Sequence, residues 1–581
     1  MSKVIVWATP VFLLLIALEF WVSRRRTRVA GARAGAPLAP AFGLADSINS
    51  LSLGVLSQLA GLLSKALSIG IYTLVFEAVA LWPDSGFWTT WYGVLAALLL
   101  YDFCYYWLHR AGHEVAVLWA AHVVHHQSQH YNLTTALRQT SSGVLLGWVF
   151  YLPLAVLGVP PLVFGIVALI DLLYQFWVHT ELVGRLGWFD RVFCSPSNHR
   201  VHHAINAGYL DRNYGGILVL WDRLFGTFAV ETEPCVYGTR SPLNSWDPLW
   251  ANLKVYRALA RDSWRTRRWR DKLRIWLQPP GWLPDDLAAH HPKKAFAMKD
   301  VPRYAPPLSP QQQGFAVLQF AATLGAALLL LWHADGMAPV PTLLAVAGLV
   351  CAIWGTGRFL QNQLAALEVL LLDAAVLATL ASVPGGVAFW WLKPLPMLLG
   401  IAFVLQRAWR LGPLQRSDVL LACALLASLA GDVLLMLPGN FFVPGLAAFM
   451  AAHLAYLAML RQGQPWFAHR RALAAVLTIG GLMFLVLAPT LWPQPVLAGA
   501  VLAYVLVISL MCAQALGRAS VLQDEAARWL ALGACLFMLS DSLIAINKFL
   551  TPLPLASVWV LSTYFAAQML IMHNARPPGA R

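Results

Sequence analysis

Apolar runs close to the twenty or so residues needed to cross a bilayer succeed one another along most of the chain, separated by short loops rich in Lys and Arg. Val4 to Trp21 is the first, and runs from about Gly54 to Trp82 and from about Trp91 to Leu108 follow it. Between Val144 and Val178 the run is interrupted by Pro160 and Pro161, which predicts a hairpin of two helices. From about Leu182 to Pro306 the chain turns polar. Ten further apolar runs then lie near 314–334, 339–357, 363–382, 386–406, 418–437, 441–460, 473–490, 495–516, 527–547 and 555–574. The pattern predicts an all-α, polytopic membrane protein of about fifteen transmembrane helices.

Letting the basic loops face the cytoplasm orients the whole. Val4 to Trp21 is followed by SRRRTR and not by a small-residue cleavage site, so a retained N-terminal anchor is expected, over 1–45 with its basic loop. Arg24 to Arg33 then lies inside, and the hairpin at Pro160 returns the chain to the same side. Arg358, Arg407 with Arg410, Arg461, Arg470 with Arg471, Arg518 and Arg576 fall in alternate loops, which makes the C-terminus cytoplasmic as well. The expected setting is a bacterial inner membrane. The polar stretch is expected to form a cytoplasmic cap, whose basic, Trp-rich segment SWRTRRWRDKLR suits the lipid interface, an ordinary positive-inside loop being the alternative.

Composition agrees: of 581 residues 59% are hydrophobic and 12% charged, with mean hydropathy +0.62. The net charge of +14 lies in short loops beside apolar runs, which argues for topology signals and against a nucleic-acid partner. Seven scattered cysteines, with no CxxC pair, argue against a disulfide framework and a zinc ribbon.

The histidines add chemistry. Ten of the sixteen fall between His109 and His203. His109 and His113 (HRAGH) are four apart, on one helical face. His122, His125 and His126 (HAAHVVHH) and His199, His202 and His203 (NHRVHH) repeat an HxxHH spacing, and His179 stands alone between them. His130 is read as a surface residue. Nine imidazoles exceed what one ion takes, so they predict a two-metal centre that activates dioxygen or water. Histidine clusters at one membrane face, not along a midplane path, argue against a transporter.

YDFCYYWLHRAGHE, HVVHHQSQHYNLTTALRQ, LLYQFWVHTE, SPSNHRVHHAIN and LDRNYGGILVLWDRLFGTF resemble the fatty acid hydroxylase and sterol desaturase superfamily, and within it the alkylglycerol monooxygenase family, over about 40–380. The resemblance implies a histidine-box domain at 46–310, with additional helices at 311–385, built around two iron ions, zinc being possible in isolated protein. It implies the ligands His109, His113, His122, His125, His126, His179, His199, His202 and His203, with dioxygen and tetrahydropterin or another external electron donor. Glu114 matches an acidic position and is expected to bind cofactor. Asn198 stands where a histidine is expected, so either one outer imidazole is missing or Asn198 orients a ligand.

In the last third, Lys393, Asp432 and Asp541 lie inside apolar runs, where ionisable groups are costly and mark function. WLKPLPMLLG, LAGDVLLML, LFMLSDSLIAINKF and YFAAQMLI resemble the lysoplasmalogenase family over 386–575, which implies vinyl-ether hydrolysis. That reaction needs an acid and a base or charge stabiliser. Asp432 and Asp541 are the expected pair, with Lys393 holding one ionised and His453, Tyr504 and Asn547 as polar lining. Glu368 and Asp373 are expected to bond between helices. The combined expectation is a membrane-bound oxygenase cleaving alkylglycerol ethers to fatty aldehyde and glycerol, fused to a vinyl-ether hydrolase. The alternative is a sterol, sphingolipid or fatty acid hydroxylase or desaturase with an inactive C-terminal half.

Overall fold

The computed structural model describes residues 2–34, 41–290, 296, 301–412 and 414–575. Arg576 and parts of the polar stretch (291–295 and 297–300) lie outside them. The chain forms two compact units, Met1–Gln363 and Leu364–Arg581. Both are helical, and the described residues hold no β-structure beyond isolated bridges such as Phe193 with Leu218.

The first unit contains α1 (Ser2–Ala34), α2 (Leu44–Val79), α3 (Trp91–Glu114), α4 (Ala116–His126), α5 (Pro161–Trp177), α6 (Pro196–His203), α7 (Pro248–Arg265), α8 (Trp269–Leu277), α9 (Pro310–His333) and α10 (Pro339–Leu360). Their starts are written in the sequence. Thr90 accepts the Gly93 amide at 3.0 Å to cap α3, and Ser309 with Gln312 forms a reciprocal capping box before Pro310 on α9. Tyr72, Trp88, Tyr101, Leu154, Val163 and Val167 make one core where α2, α3 and α5 meet. Leu53, Leu56 and Leu59 bring α2 against Ala251, Leu330, Val346 and Ile353 of α7, α9 and α10.

The hairpin at Pro160 is present, but its arms are short. Gly143–Val156 and Pro161–Trp177 are apolar helices below the length of a span. Seventeen residues rise only about 25 Å against a hydrocarbon core of about 30 Å. Gly158 makes the turn at φ +84°, where a Cβ would stand 2.6 Å from the Trp82 carbonyl oxygen.

The second unit contains α11 (Ala366–Ala381), α12 (Leu395–Leu411), α13 (Arg416–Met436), α14 (Phe442–Arg461), α15 (Arg470–Leu491), α16 (Pro495–Leu522), α17 (Glu525–Phe549) and α18 (Ala556–Asn574). Short loops make consecutive helices antiparallel neighbours. Met397, Val404, Leu425, Tyr456, Met511 and Phe537 belong to their common core.

Every apolar run after Pro310 is helical, yet among the described residues nine helices are long and apolar enough to cross a membrane, or ten if the bent pair Leu44–Ser64 and Ile69–Val79 is one span. The expected count of about fifteen included five more: both hairpin arms, the sixteen-residue α11, α18, and α3, which carries Asp102 and two histidines. The polar stretch folds into short helices and loops that carry α6.

Candidate functional site

Nine histidines of the first unit converge. His109 and His113 come from the last turns of α3, His122, His125 and His126 from α4, His179 from just beyond α5, and His199, His202 and His203 from α6. They form two groups, His109, His113, His122, His126 and His202 in one and His125, His179, His199 and His203 in the other, with ligating nitrogens of each group within 4.8 Å of one another. Each HxxHH motif is therefore shared between groups. His126 and His203, from different groups, stack with centroids 4.4 Å apart.

Tautomers can be read from the outer nitrogens. His109 Nδ1–H donates to the Tyr214 carbonyl (2.7 Å), His125 to Arg138 (2.9 Å), His179 to Gln175 (2.7 Å) and His202 to Arg212 (3.0 Å). Each donation leaves Nε2 as a bare lone pair directed inward. His125 and His179 nevertheless bring these nitrogens to 3.1 Å, and His199 Nε2 is 3.0 Å from that of His179. The lone pairs of His125 and His179 repel at this distance unless a cation lies between them. The Nε2 atoms of His113 and His202 are buried without a partner. Burial above all, then neighbouring imidazoles, holds His126, His199, His202 and His203 well below the usual histidine pKa, and burial takes His125 to about 4. Neutral imidazoles are what a metal requires, and this donor set fits iron, zinc, copper or nickel.

The surrounding polar groups fix these rings. Asp222 accepts the Tyr214 and Gly215 amides, both at 2.8 Å, and so holds the carbonyl that orients His109. Arg200, within α6, grips Glu231 through two bonds (2.8 and 2.7 Å) and reaches the carbonyls of Thr180 and Val183 beyond His179. Burial would raise the Glu231 pKa, but Arg200 outweighs it and the carboxyl lies below its usual range. Arg138, fully buried, donates to the Val124 carbonyl and to Asn49 and ties α4 to α2.

Other expected residues lie elsewhere. Glu114 pairs with Arg110 (2.9 Å) on the exposed side of α3. The Asn198 amide donates to the carbonyls of Asp190 and Phe193 and braces the loop entering α6. His130, read as a surface residue, is half-buried, because the 128–135 turn folds under Gly43. Asp222, Arg200 and Arg138 were not singled out in the sequence; DRLFGTF and NHRVHH contain the first two, but nothing in spacing marks them.

A cavity of about 580 Å³ reaches His109, His122 and His125. Leu62, Leu108, Leu118, Leu169 and Leu172 line much of it, and its polar side chains besides the histidines include Gln58, Tyr105, Gln139, Asp171 and Gln175. Its size and lining suit an alkyl chain.

In the second unit, two carboxylates occupy different surroundings. Asp541 accepts from Tyr504 Oη (2.5 Å) and lies 3.3 Å from His453 Nε2. Asp432 accepts from Tyr564 Oη (2.7 Å), with Lys393 Nζ 3.6 Å from its other oxygen. Asp541 and Tyr504 line a small apolar cavity of about 80 Å³ between α14, α15, α16 and α17. Asn547 is exposed and accepts the Leu553 amide, away from this group. Tyr564, missed in the sequence, sits in the YFAAQMLI motif, where aromatic spacing alone does not distinguish it from core. Glu368 bonds His573 across helices at 2.6 Å.

The fatty acid hydroxylase family model matches residues 94–227, which contain all nine histidines, and the YhhN family model matches 388–575. An alkylglycerol monooxygenase of Danio rerio is 34% identical over 409 residues, 69% of this chain and 85% of its own length. That of Homo sapiens is 34% identical over 363 residues, 61% of this chain and 77% of its own. A human lysoplasmalogenase is 37% identical over 185 residues, 32% of this chain and 73% of its own. No solved structure matches. With the histidine boxes lying inside the first match and Asp432 and Asp541 inside the second, the chain belongs to the alkylglycerol monooxygenase family and carries a YhhN-family domain in the same polypeptide.

Proposed function

We propose that the first unit is a di-iron monooxygenase cleaving alkylglycerol ethers and that the second hydrolyses the vinyl ethers of lysoplasmalogens. The observation that carries the first half is the pair of histidine groups, one of them holding the facing Nε2 lone pairs of His125 and His179, beside a largely apolar cavity that His109, His122 and His125 help to line. The nine histidines would hold the ions, five around one and four around the other. Iron there supplies, with dioxygen and electrons from tetrahydropterin or another donor, the oxidising power that an unactivated C–H bond demands. The protein's own groups do the positioning. Carbonyls of Tyr214, Arg138, Gln175 and Arg212 fix ring orientation, and the leucine-rich wall holds the alkyl chain and excludes water. Hydroxylation of the carbon beside the ether oxygen gives a hemiacetal, which collapses to a fatty aldehyde and glycerol.

In the second unit, protonation of the vinyl ether at carbon gives an oxocarbenium ion that water captures. Asp541, with Tyr504 and His453, transfers protons at the cavity wall, and Asp432, kept ionised by Lys393, stabilises the cation. On this reading the oxygenase occupies 46–310 with the helices that follow, and the hydrolase 386–575. The histidine centre and the C-terminus face the cytoplasm of a bacterial inner membrane, as the arginine loops imply.

The test is incubation of purified, iron-loaded protein with tetrahydropterin, oxygen and labelled hexadecylglycerol, followed by detection of labelled hexadecanal. A parallel incubation uses lysoplasmalogen without iron or pterin. Aldehyde in neither mixture overturns the reading.

A further inference from the structure

We propose that Asp171, with Gln175 and Tyr105, forms a subsite in the cavity wall that binds the free hydroxyls of the lipid's glycerol end. The inference rests on the reading of the first unit as an alkylglycerol oxygenase and adds what selects the substrate.

Asp171 lies on α5 and is 2% exposed, in the lining of the cavity that reaches His109, His122 and His125. Its Oδ2 accepts from Gln175 Nε2 at 2.5 Å, and Gln175 Oε1 accepts from Tyr105 Oη at 2.7 Å. Its Oδ1 is buried and has no donor. Among the described residues, Asp171 forms no ion pair.

The neighbouring carboxylate shows that this deficit is local. Asp102 takes three donors, the amides of Ile217 (2.7 Å) and Leu218 (3.2 Å) and Trp221 Nε1 (2.8 Å), and is satisfied by the fold. Both carboxylates close on Gly216, whose Cβ, if present, would stand 2.8 Å from Asp171 Oδ1 and 3.1 Å from Asp102 Oδ1. Asp171 lines the cavity, and a buried acceptor without a donor is costly unless a ligand supplies one. An alkylglycerol supplies two hydroxyls, on the carbons next to and one beyond the ether carbon of the glycerol. Holding them fixes where the oxidised carbon lies relative to the imidazoles, whatever the chain length. The same segment serves the metal centre, since the Gln175 carbonyl receives His179 Nδ1–H at 2.7 Å. A lipid with both hydroxyls substituted lacks the donors and is discriminated against.

The experiment compares the full-length protein with its Asp171→Asn and Asp171→Leu variants. Turnover is measured on hexadecylglycerol and on its dimethyl ether, and the ratio of kcat/KM values is the readout. Retention of tritiated hexadecane vicinal diol, against its dimethyl ether, gives a binding readout independent of oxidation. Metal content is determined for each protein. The expected result is wild-type metal content and a preference for free hydroxyls that falls roughly tenfold or more in Asp171→Asn and disappears in Asp171→Leu, in turnover and in binding alike. An unchanged preference overturns the subsite. So does loss of metal from both variants, which would make Asp171 a structural brace. If wild type does not oxidise hexadecylglycerol, the proposed oxygenase falls, and the binding comparison alone still decides the subsite.

Discussion

His125 and His179 face each other Nε2 to Nε2 at 3.1 Å while each gives its Nδ1 proton to a main-chain carbonyl. That contact is repulsive without a cation and favourable with one, so the fold is strained toward metal. The two groups also make the loss of a single ligand specific. His125→Ala is expected to weaken the four-histidine group and His202→Ala the five-histidine group, each reducing bound metal from two equivalents toward one. Both abolish oxygenase turnover. Elemental analysis of purified variants checks this, and two equivalents with full activity in both would refute the ligand assignment.

Removal of metal should lower stability and make it pH-dependent. In the apo protein His126, His199, His202 and His203 are held below the unfolded histidine value of 6.5 by burial, and His125 falls to about 4. Below pH about 6.5 the unfolded chain binds protons that the folded centre refuses, so stability falls as pH falls from about 6.5 through 4. Above 6.5 these groups are neutral in both states and contribute no slope. Thermal melts of chelated protein in detergent between pH 5 and 8 check the sign, and a melting temperature that rises on acidification contradicts it.

The histidine centre was legible because imidazole clusters at i, i+3 and i+4 have few other uses in an apolar chain. Its partition was not. Which ring of HVVHH joins which group depends on how α4 packs against α6, a tertiary relation that helical spacing does not encode. Of the carbonyls that set the tautomers, those of Arg138, Arg212 and Tyr214 come from loops after α4 and α6 and that of Gln175 from the last turn of α5, and none carries a sequence signature. The crossing count of about fifteen was not confirmed for a related reason: runs of apolar residues show burial, and where each helix begins and ends, which leaves α11 at sixteen residues and the arms at Pro160 shorter than a typical span, is not written in the apolar run itself.

The segment read as an interfacial surface presents Trp269, Leu273 and Leu277 on one face of α8, with Trp269 82% exposed. The i, i+4, i+8 spacing puts them in one stripe, and Arg267, Arg268 and Arg270 flank it. This stripe should lie in the headgroup layer of an anionic membrane. A nitroxide at Leu273→Cys in phosphatidylglycerol nanodiscs is expected to be relaxed more by oxygen than by a water-soluble nickel chelate. The opposite ranking places α8 in water.

The two units should fail independently, since one demands metal, oxygen and electrons and the other only a proton donor and water. Chelation is therefore expected to stop alkyl-ether oxidation and leave vinyl-ether hydrolysis within a few-fold. Asp541→Asn removes the carboxylate that Tyr504 and His453 address, and Asp432→Asn leaves Lys393 without its partner. Each should slow hydrolysis by 100-fold or more, on the order of 3 kcal/mol of barrier, with oxidation unaffected. Tyr504→Phe separates the roles, because it deletes one donor to Asp541 and keeps the ring in the cavity wall. If Tyr504 only orients Asp541, hydrolysis falls about tenfold and the pH profile keeps its shape. If Tyr504 holds the proton that is transferred, the loss approaches that of Asp541→Asn and the alkaline limb of the profile disappears. Hydrolysis that survives Asp541→Asn, or that vanishes with chelation, would show that the second unit is not a separate hydrolase.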